Sequence, residues 1–344
     1  MDLDLGRLGG TARPRLPFLQ RLGTQRVVRF LFATAAGIST LIIVLMLVFL
    51  AIYALPAIRF NGIGILTQSV WNIGDQYGSG HVVRSGITAM QGAQFGGLVF
   101  VFGTVVTAFV AMIFAVPLSL LVAVALVYRV PTRLRPLVNA IVELMAGVPS
   151  VVYGLWGIVV LVPFIGQRVG PWTTAHLGFL PFLGGPAGSG NGLLASSILL
   201  SLMAMPFMVA TVRDVILAQE KSIFEASMAL GSTSWQAVTK AVMPSVVNGI
   251  FAAVLVALGR ALGETMAVLM VCGGAVGIFA QNIFQSVNTI AAVIVSQLES
   301  ALTDPTGLAQ RSLSELALLL FVITLFVNII ARVILHGADR SGEA

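Results

Sequence analysis

The sequence predicts an all-α polytopic membrane protein with about six transmembrane helices and both termini on the cytoplasmic side. Three observations predict it. Hydrophobic residues make up 58% of the 344-residue chain and charged residues only 9%, for a mean hydropathy of +1.00. A soluble domain carries about 25% charged residues, so this chain lacks the charge to cover a water-facing surface and lipid must be its main solvent. Apolar runs reach the roughly 20 residues that a helix needs to cross a bilayer at six places, about 30–55, 97–128, 137–162, 192–217, 246–273 and 313–336. Finally, basic residues are spread unevenly over the segments that join those runs, which fixes orientation.

Residues 1–29 read as a basic cytoplasmic tail, since Arg7, Arg13, Arg15, Arg21, Arg26 and Arg29 all precede the first run. That run is longer than the apolar core of a signal peptide, typically 7–15 residues, and reads as a retained anchor. Residues 30–96 hold this first helix and an outer loop. The second run contains Pro117, which a helix bundle tolerates. With the N-terminus inside, fourteen of the 19 Lys and Arg residues fall on inner segments. Only Arg59, Arg84, Arg168 and Arg311 fall on outer ones, and Arg260 lies within the fifth run. The outer loops, 56–96, 163–191 and 274–312, are long, Gly-rich and nearly uncharged. Thr289 to Leu298 is apolar but too short to span, as in a re-entrant or interfacial piece. Residues 337–344 form a second cytoplasmic tail, and no period of about 20–50 residues recurs, which excludes a solenoid.

Several function classes drop out. Cys272 is the single cysteine, so there is no disulfide framework or cysteine-based metal site. His81, His176 and His336 are too scattered for a local zinc motif. The net charge of +6 reads as an orientation signal and not as a nucleic-acid footprint, because it is concentrated on the inner flanks. No Ser/His/Asp grouping supports an intramembrane enzyme, so no residue is assigned as catalytic.

The stretch 213–244 is the one sizeable inner connection. Ser222 with Glu225 forms a capping-box pattern that predicts a helix from about Ile223, closed at Leu230-Gly231. Thr233 with Gln236 predicts a second helix to about Met243, and Pro244 suits the first turn of the next span. Trp235, Val238 and Val242 share a face of that second helix. The pair reads either as a docking surface or as an interfacial helix lying on the bilayer.

The run Glu225-Ala226-Ser227, then Gly231, then Met243-Pro244 resembles the EAA loop of ATP-binding-cassette (ABC) importer permeases, with mild departures at Ser227, Ala241 and Met243. The resemblance implies that Glu225, Ala226, Ser227, Gly231 and Pro244 belong to a coupling loop seated on a separate ATPase. Lys221 and Lys240 follow Glu220 and Thr239, so the chain has no Walker A loop. ATP and Mg would be carried by the partner.

The fifth run contains Gly259-Arg260-Ala261-Leu262-Gly263-Glu264-Thr265-Met266. Arg260 lies about 14 residues into it, roughly 21 Å at the α-helical rise, near the midplane. A charge at a helix centre costs about 2.5–3.5 kcal/mol on insertion scales. Arg260 and Glu264, four apart on one helical face, can pair. Gly259 and Gly263 share a small-xxx-small spacing that lets another helix approach. Two readings stay open: a salt bridge that fixes packing, or a substrate pathway, for which the planar guanidinium fork suits an oxyanion. Glu143, near the inner end of the third run, is a secondary candidate beside an interfacial reading. Glu315 opens the sixth run and reads as helix-dipole compensation.

The string Gly259 to Val268 resembles the signature of the C-type permease of phosphate-specific ABC importers (PstC-like), and Met266-Ala267-Val268 favours the C-type over its A-type sister. Gly103-Thr104 with Pro117, and Ala146 to Leu155, are similar to the same family, over a core of roughly 97–336. The resemblance implies a type I ABC importer permease fold and inorganic phosphate passing Arg260 and Glu264. It implies as partners a second, A-type permease, an ATPase dimer and an extracytoplasmic phosphate-binding protein. An A-type or other oxyanion permease is the near alternative. A secondary transporter driven by an ion gradient, with Arg260 and Glu264 as a proton relay, is the distant one.

Overall fold

A computed structural model describes residues 18–75, 78, 80–186, 188–219 and 221–341. Arg7, Arg13 and Arg15 of the expected tail lie outside the described residues. The chain divides into an N-terminal unit, Met1–Ile52, and a main unit, Tyr53–Ala344.

The first helix, α1 (Phe18–Asn61), begins inside the segment expected to be tail. Arg21, Arg26 and Arg29 are good helix formers, and no proline lies among them to outweigh the cost of Gly23, so the helix starts before the apolar run does. The connection that follows holds a short α2 (Gly64–Thr67) and four strands: β1 (Trp71–Asn72), β2 (His81–Arg84), β3 (Ile87–Met90) and β4 (Gln94–Phe95). β1 pairs antiparallel with β4, Trp71 opposite Phe95, and β2 with β3, His81 opposite Met90. Ser85 and Gly86 turn the inner hairpin with φ of 51° and 76°, both positive, as a two-residue primed turn requires. Edge-on contacts of Trp71 with Phe95 (5.1 Å) and Phe100 (5.8 Å) give this unit its apolar centre.

The remaining helices are α3 (Leu98–Tyr128), α4 (Arg135–Gly147), α5 (Ser150–Leu177), α6 (Leu193–Ala218), α7 (Lys221–Ala229), α8 (Ser234–Ser245), α9 (Val247–Leu262), α10 (Met266–Val271), α11 (Ile290–Leu302) and α12 (Leu308–Ser341). Among the described residues five helices (α1, α3, α5, α6 and α12) are long and apolar enough to span, and α8 with α9, bent by 71°, supplies a sixth.

Two of the expected spans are drawn differently. The third is α5 (Ser150–Leu177) and not 137–162. Pro149 holds Val148 in an extended conformation (φ −66°, ψ 130°), as a proline does to its predecessor, and this separates an amphipathic α4 from the true span. The fifth is not continuous over 246–273, because the chain leaves the helix between Leu262 and Met266. At the C-terminus α12 runs to Ser341, so most of the expected tail, up to that residue, is helical. Thr289–Leu298 falls within α11, whose 13 residues are too few to cross, with the Thr289 hydroxyl accepting from Ala292 N–H at 3.2 Å as its cap.

The bundle is built on α3 against α6. Ala108, Ala111 and Ala115 of α3, Ala204 and Met208 of α6, and Ala257 and Ala261 of α9 share one buried cluster. Small side chains at a helix crossing let backbones approach closely where lipid gives no hydrophobic drive. At the α11 end of α3, Ile290 N–H donates to the Thr104 hydroxyl at 2.9 Å. Gly103 lies directly against the Asn288 carbonyl, where a Cβ would not fit.

Candidate functional site

The break in the fifth span places the charged pair. Gly263 leaves the helix at φ −94°, ψ 0°, with its N–H donating to Arg260 O at 3.2 Å. Arg260 therefore sits in the last turn of α9, beside carbonyls without intrahelical partners. Glu264 precedes α10 and its Oε1 accepts from Ala267 N–H at 3.4 Å. Each charge thus lies at the half-helix end whose dipole favours it.

This arrangement corrects two expectations. Arg260 and Glu264 form no ion pair among the described residues, because stacking at four-residue spacing needs a continuous helix and the chain leaves the helix between them. Gly259 and Gly263 pack against no neighbouring helix of this chain either. A Cβ at Gly259 meets nothing within 4 Å, and one at Gly263 meets only the Arg260 and Gly259 carbonyls, at 3.8 and 3.9 Å. The face carrying Val256, Arg260 and Gly263 is exposed.

Close glycine packing occurs on α5 instead. A Cβ at Gly154 would lie 2.6 Å from Met270 Sδ and 3.2 Å from Ala267 Cα. One at Gly157 would lie 2.9 Å from Val271 Cγ1 and 3.2 Å from Leu199. The second half of the broken span, α10, is therefore seated on α5. Gly154 stood inside the string Ala146 to Leu155, yet only its three-residue spacing to Gly157 hinted at a helix contact.

Glu143 lies on α4, outside any span, with its side chain 64% exposed and Oε1 3.8 Å from Arg213 Nη1. This agrees with the interfacial reading. Glu315 does not merely open a helix. It sits within α12, 5% exposed, and its Oε2 accepts from Asn61 Nδ2 at 2.6 Å. Nothing in the sequence linked those two residues. Buried hydroxyls at Thr107, Ser196 and Ser197 have no hydrogen-bond partner among the described residues.

The inner loop folds as two helices. α7 starts at Lys221, two residues before the expected start at Ile223. Its far end has the expected form: Ser232 N–H donates to Ser227 O (3.2 Å) and Gly231 N–H to Met228 O (3.0 Å), with Gly231 at φ 90°. That is a Schellman closure, and the left-handed residue in it favours glycine. The second capping box is present in full: Gln236 N–H donates to Thr233 Oγ1 at 3.3 Å, and Thr233 N–H to Gln236 Oε1 at 3.0 Å. Val238 and Val242 are buried, whereas Trp235 on the same side is 57% exposed. Glu225 and Ala226 are exposed, Ser227 half-buried, and Leu230 is 89% exposed. Pro244 follows a π-helical stretch, Val238–Val242, and precedes the 71° bend at Val246. Proline and an inserted π-turn are both recognised causes of helix bending.

Residues 115–340, more than half of the chain, match the family described as binding-protein-dependent transport system inner membrane component. The chain belongs to that family. This inner-membrane component is a multi-pass protein of the inner membrane. It is 42% identical over 318 residues to the phosphate transport system permease protein PstC 1 of Mycobacterium tuberculosis (strain ATCC 25618 / H37Rv), covering 91% of this chain and 94% of that one. It is 39% identical over 253 residues to PstC of Mesorhizobium japonicum, covering 72% and 76% of the two chains. A bacterial alginate ABC transporter in complex with a pentasaccharide-bound periplasmic protein shares its fold, with a TM-score of 0.55 at 17% identity over 90% of this chain and 97% of that one.

Proposed function

We propose that this inner-membrane component is the C-type permease of an ATP-driven phosphate importer. The observation that carries the coupling role is the exposed α7, closed by the Gly231 Schellman turn and followed directly by the bent α8–α9 span. The names of the relatives, phosphate transport permeases throughout, supply the substrate.

In this reading both termini and the α7–α8 loop are cytoplasmic. An ATPase dimer carrying ATP and Mg seats Glu225, Ala226 and Leu230. A second, A-type permease completes the pathway, and an extracytoplasmic phosphate-binding protein delivers its cargo to the outer loops. ATPase closure displaces α7 and tips a two-state bundle toward its other arrangement. Along the route Arg260 donates to phosphate oxygens with its planar fork. Glu264 accepts from a phosphate O–H, which a fully ionised sulfate lacks.

Glu225→Lys tests the coupling role. Glu225 is exposed and outside the packed core, so the chain should still insert and the bundle should stay intact. Uptake of labelled phosphate and co-purification of the ATPase should both be lost. Survival of both would remove the coupling assignment.

A further inference from the structure

At the end of α3 next to the α7–α8 loop lies a cavity of about 560 Å³ that no step of transport uses. Its walls change character in one direction: Leu121, Val124 and Ala125, then Tyr128, Phe224 and Trp235, then Arg129 and Arg135. Among the described residues no carboxylate lines it, and Glu225 lines instead a smaller neighbouring cavity that shares Tyr128, Arg135 and Phe224. Apolar, then aromatic, then cationic is the order in which a phospholipid presents its acyl chains, glycerol region and phosphate.

Three further features support an anionic occupant. The exposed side chains of Phe114, Leu118 and Leu121 form a stripe at helical spacing along α3 that leads into the cavity, a track for an acyl chain. Arg135 is fixed in place, donating through Nε to Val130 O (3.0 Å) and through Nη2 to Val127 O (2.7 Å), so one cation is held at the rim before anything binds. The Arg129 guanidinium is exposed and has no ion pair or hydrogen bond to a side chain among the described residues. Tyr128 and Phe224 stack at 4.9 Å across the cavity wall, joining α3 to α7.

We propose that this cavity binds the headgroup of an anionic phospholipid, with Arg129 and Arg135 on the phosphate, Trp235 and Tyr128 at the glycerol level, and an acyl chain along the α3 stripe. The bound lipid would brace α7 against α3. The site does not rest on the substrate of the importer or on its orientation.

The test is native mass spectrometry of the full-length chain released from nanodiscs of equimolar phosphatidylglycerol and phosphatidylcholine. Phosphatidylglycerol should be retained preferentially. Arg129→Gln should lower that retention about fivefold, the size expected of one arginine at an anionic surface. Arg133→Gln, exposed on the same loop but outside the cavity, should leave it unchanged. Equal retention of both lipids, or equal effects of the two substitutions, would overturn the site. Displacement of the lipid by excess inorganic phosphate would assign the arginines to free phosphate instead. Loss of the lipid on assembly with the second permease would assign the groove to that protein.

Discussion

Glu264 uses its carboxylate on the Ala267 amide, while Arg260, exposed at the end of α9, has no partner of this kind among the described residues. The two substitutions should therefore behave differently from a broken salt bridge. Arg260→Gln is expected to abolish phosphate uptake and leave the unfolding free energy of the purified complex within about ±0.5 kcal/mol, as is typical of surface changes. Glu264→Gln keeps an acceptor for Ala267, so the complex should stay assembled while rejection of sulfate weakens in competition assays. Transport restored in the double variant would show that the residues pair after all, and would remove them from the pathway. At Gly231 the constraint is purely conformational. A Cβ there meets nothing within 4 Å, yet φ is 90°. Gly231→Ala should cost about 1 kcal/mol, the left-handed penalty of an L-residue, measurable as faster hydrogen exchange confined to α7. The EAA-like spacing made this glycine visible in the sequence. That Arg260 and Glu264 stay apart was not visible, because pairing at four-residue spacing presumes a helix that Gly263 ends.

Elements were legible in proportion to how far composition alone decides them. α3 and α6 match their apolar runs to within a residue, since a long run with few charges has one solution in lipid. α4 misled because Leu137, Val138, Ile141 and Leu144 give it the hydropathy of a span, while Arg135, Asn139 and Glu143 at four-residue spacing give it a polar face. Averaging over a window hides that face, and the Val148-Pro149 break was the better signal. The strands β1 and β4, of two residues each, are too short to show alternation. Two predictions belong at this scale. Thr233→Ala removes a complete capping box and should destabilise the start of α8 by about 1 kcal/mol, seen as reduced ATPase co-purification with insertion unchanged. Gly157→Val drives a branched side chain into Val271 and Leu199, and overpacking of this kind costs about 1–3 kcal/mol. It should lower the melting temperature and impair transport together, whereas the same change at Gly259, where nothing lies within 4 Å, should leave the isolated chain unaffected.

For the whole molecule, the fourteen-to-four distribution of Lys and Arg predicts one orientation, and the chain offers a clean way to measure it. Cys272 is fully buried, so the native thiol contributes little background to labelling. A thiol reagent confined to the outer face should modify Ser189→Cys and spare Leu230→Cys in intact cells. Labelling at position 230 would invert the topology and remove α7 from the ATPase side.

The bend at Val246 has a mechanical consequence. α8 is a rigid arm of 12 residues set at 71° to α9, so it extends about 18 Å sideways from its pivot. Swinging that arm by only about 10° carries its tip roughly 3 Å, the geometry of a crank with a short throw. The tip is Ser234, four residues from Leu230 and next to the Thr233 cap. A small push at the tip would thereby be converted at the pivot into torque on α9, the helix whose last turn carries Arg260, with buried Val238 and Val242 of α8 carrying the load into the bundle.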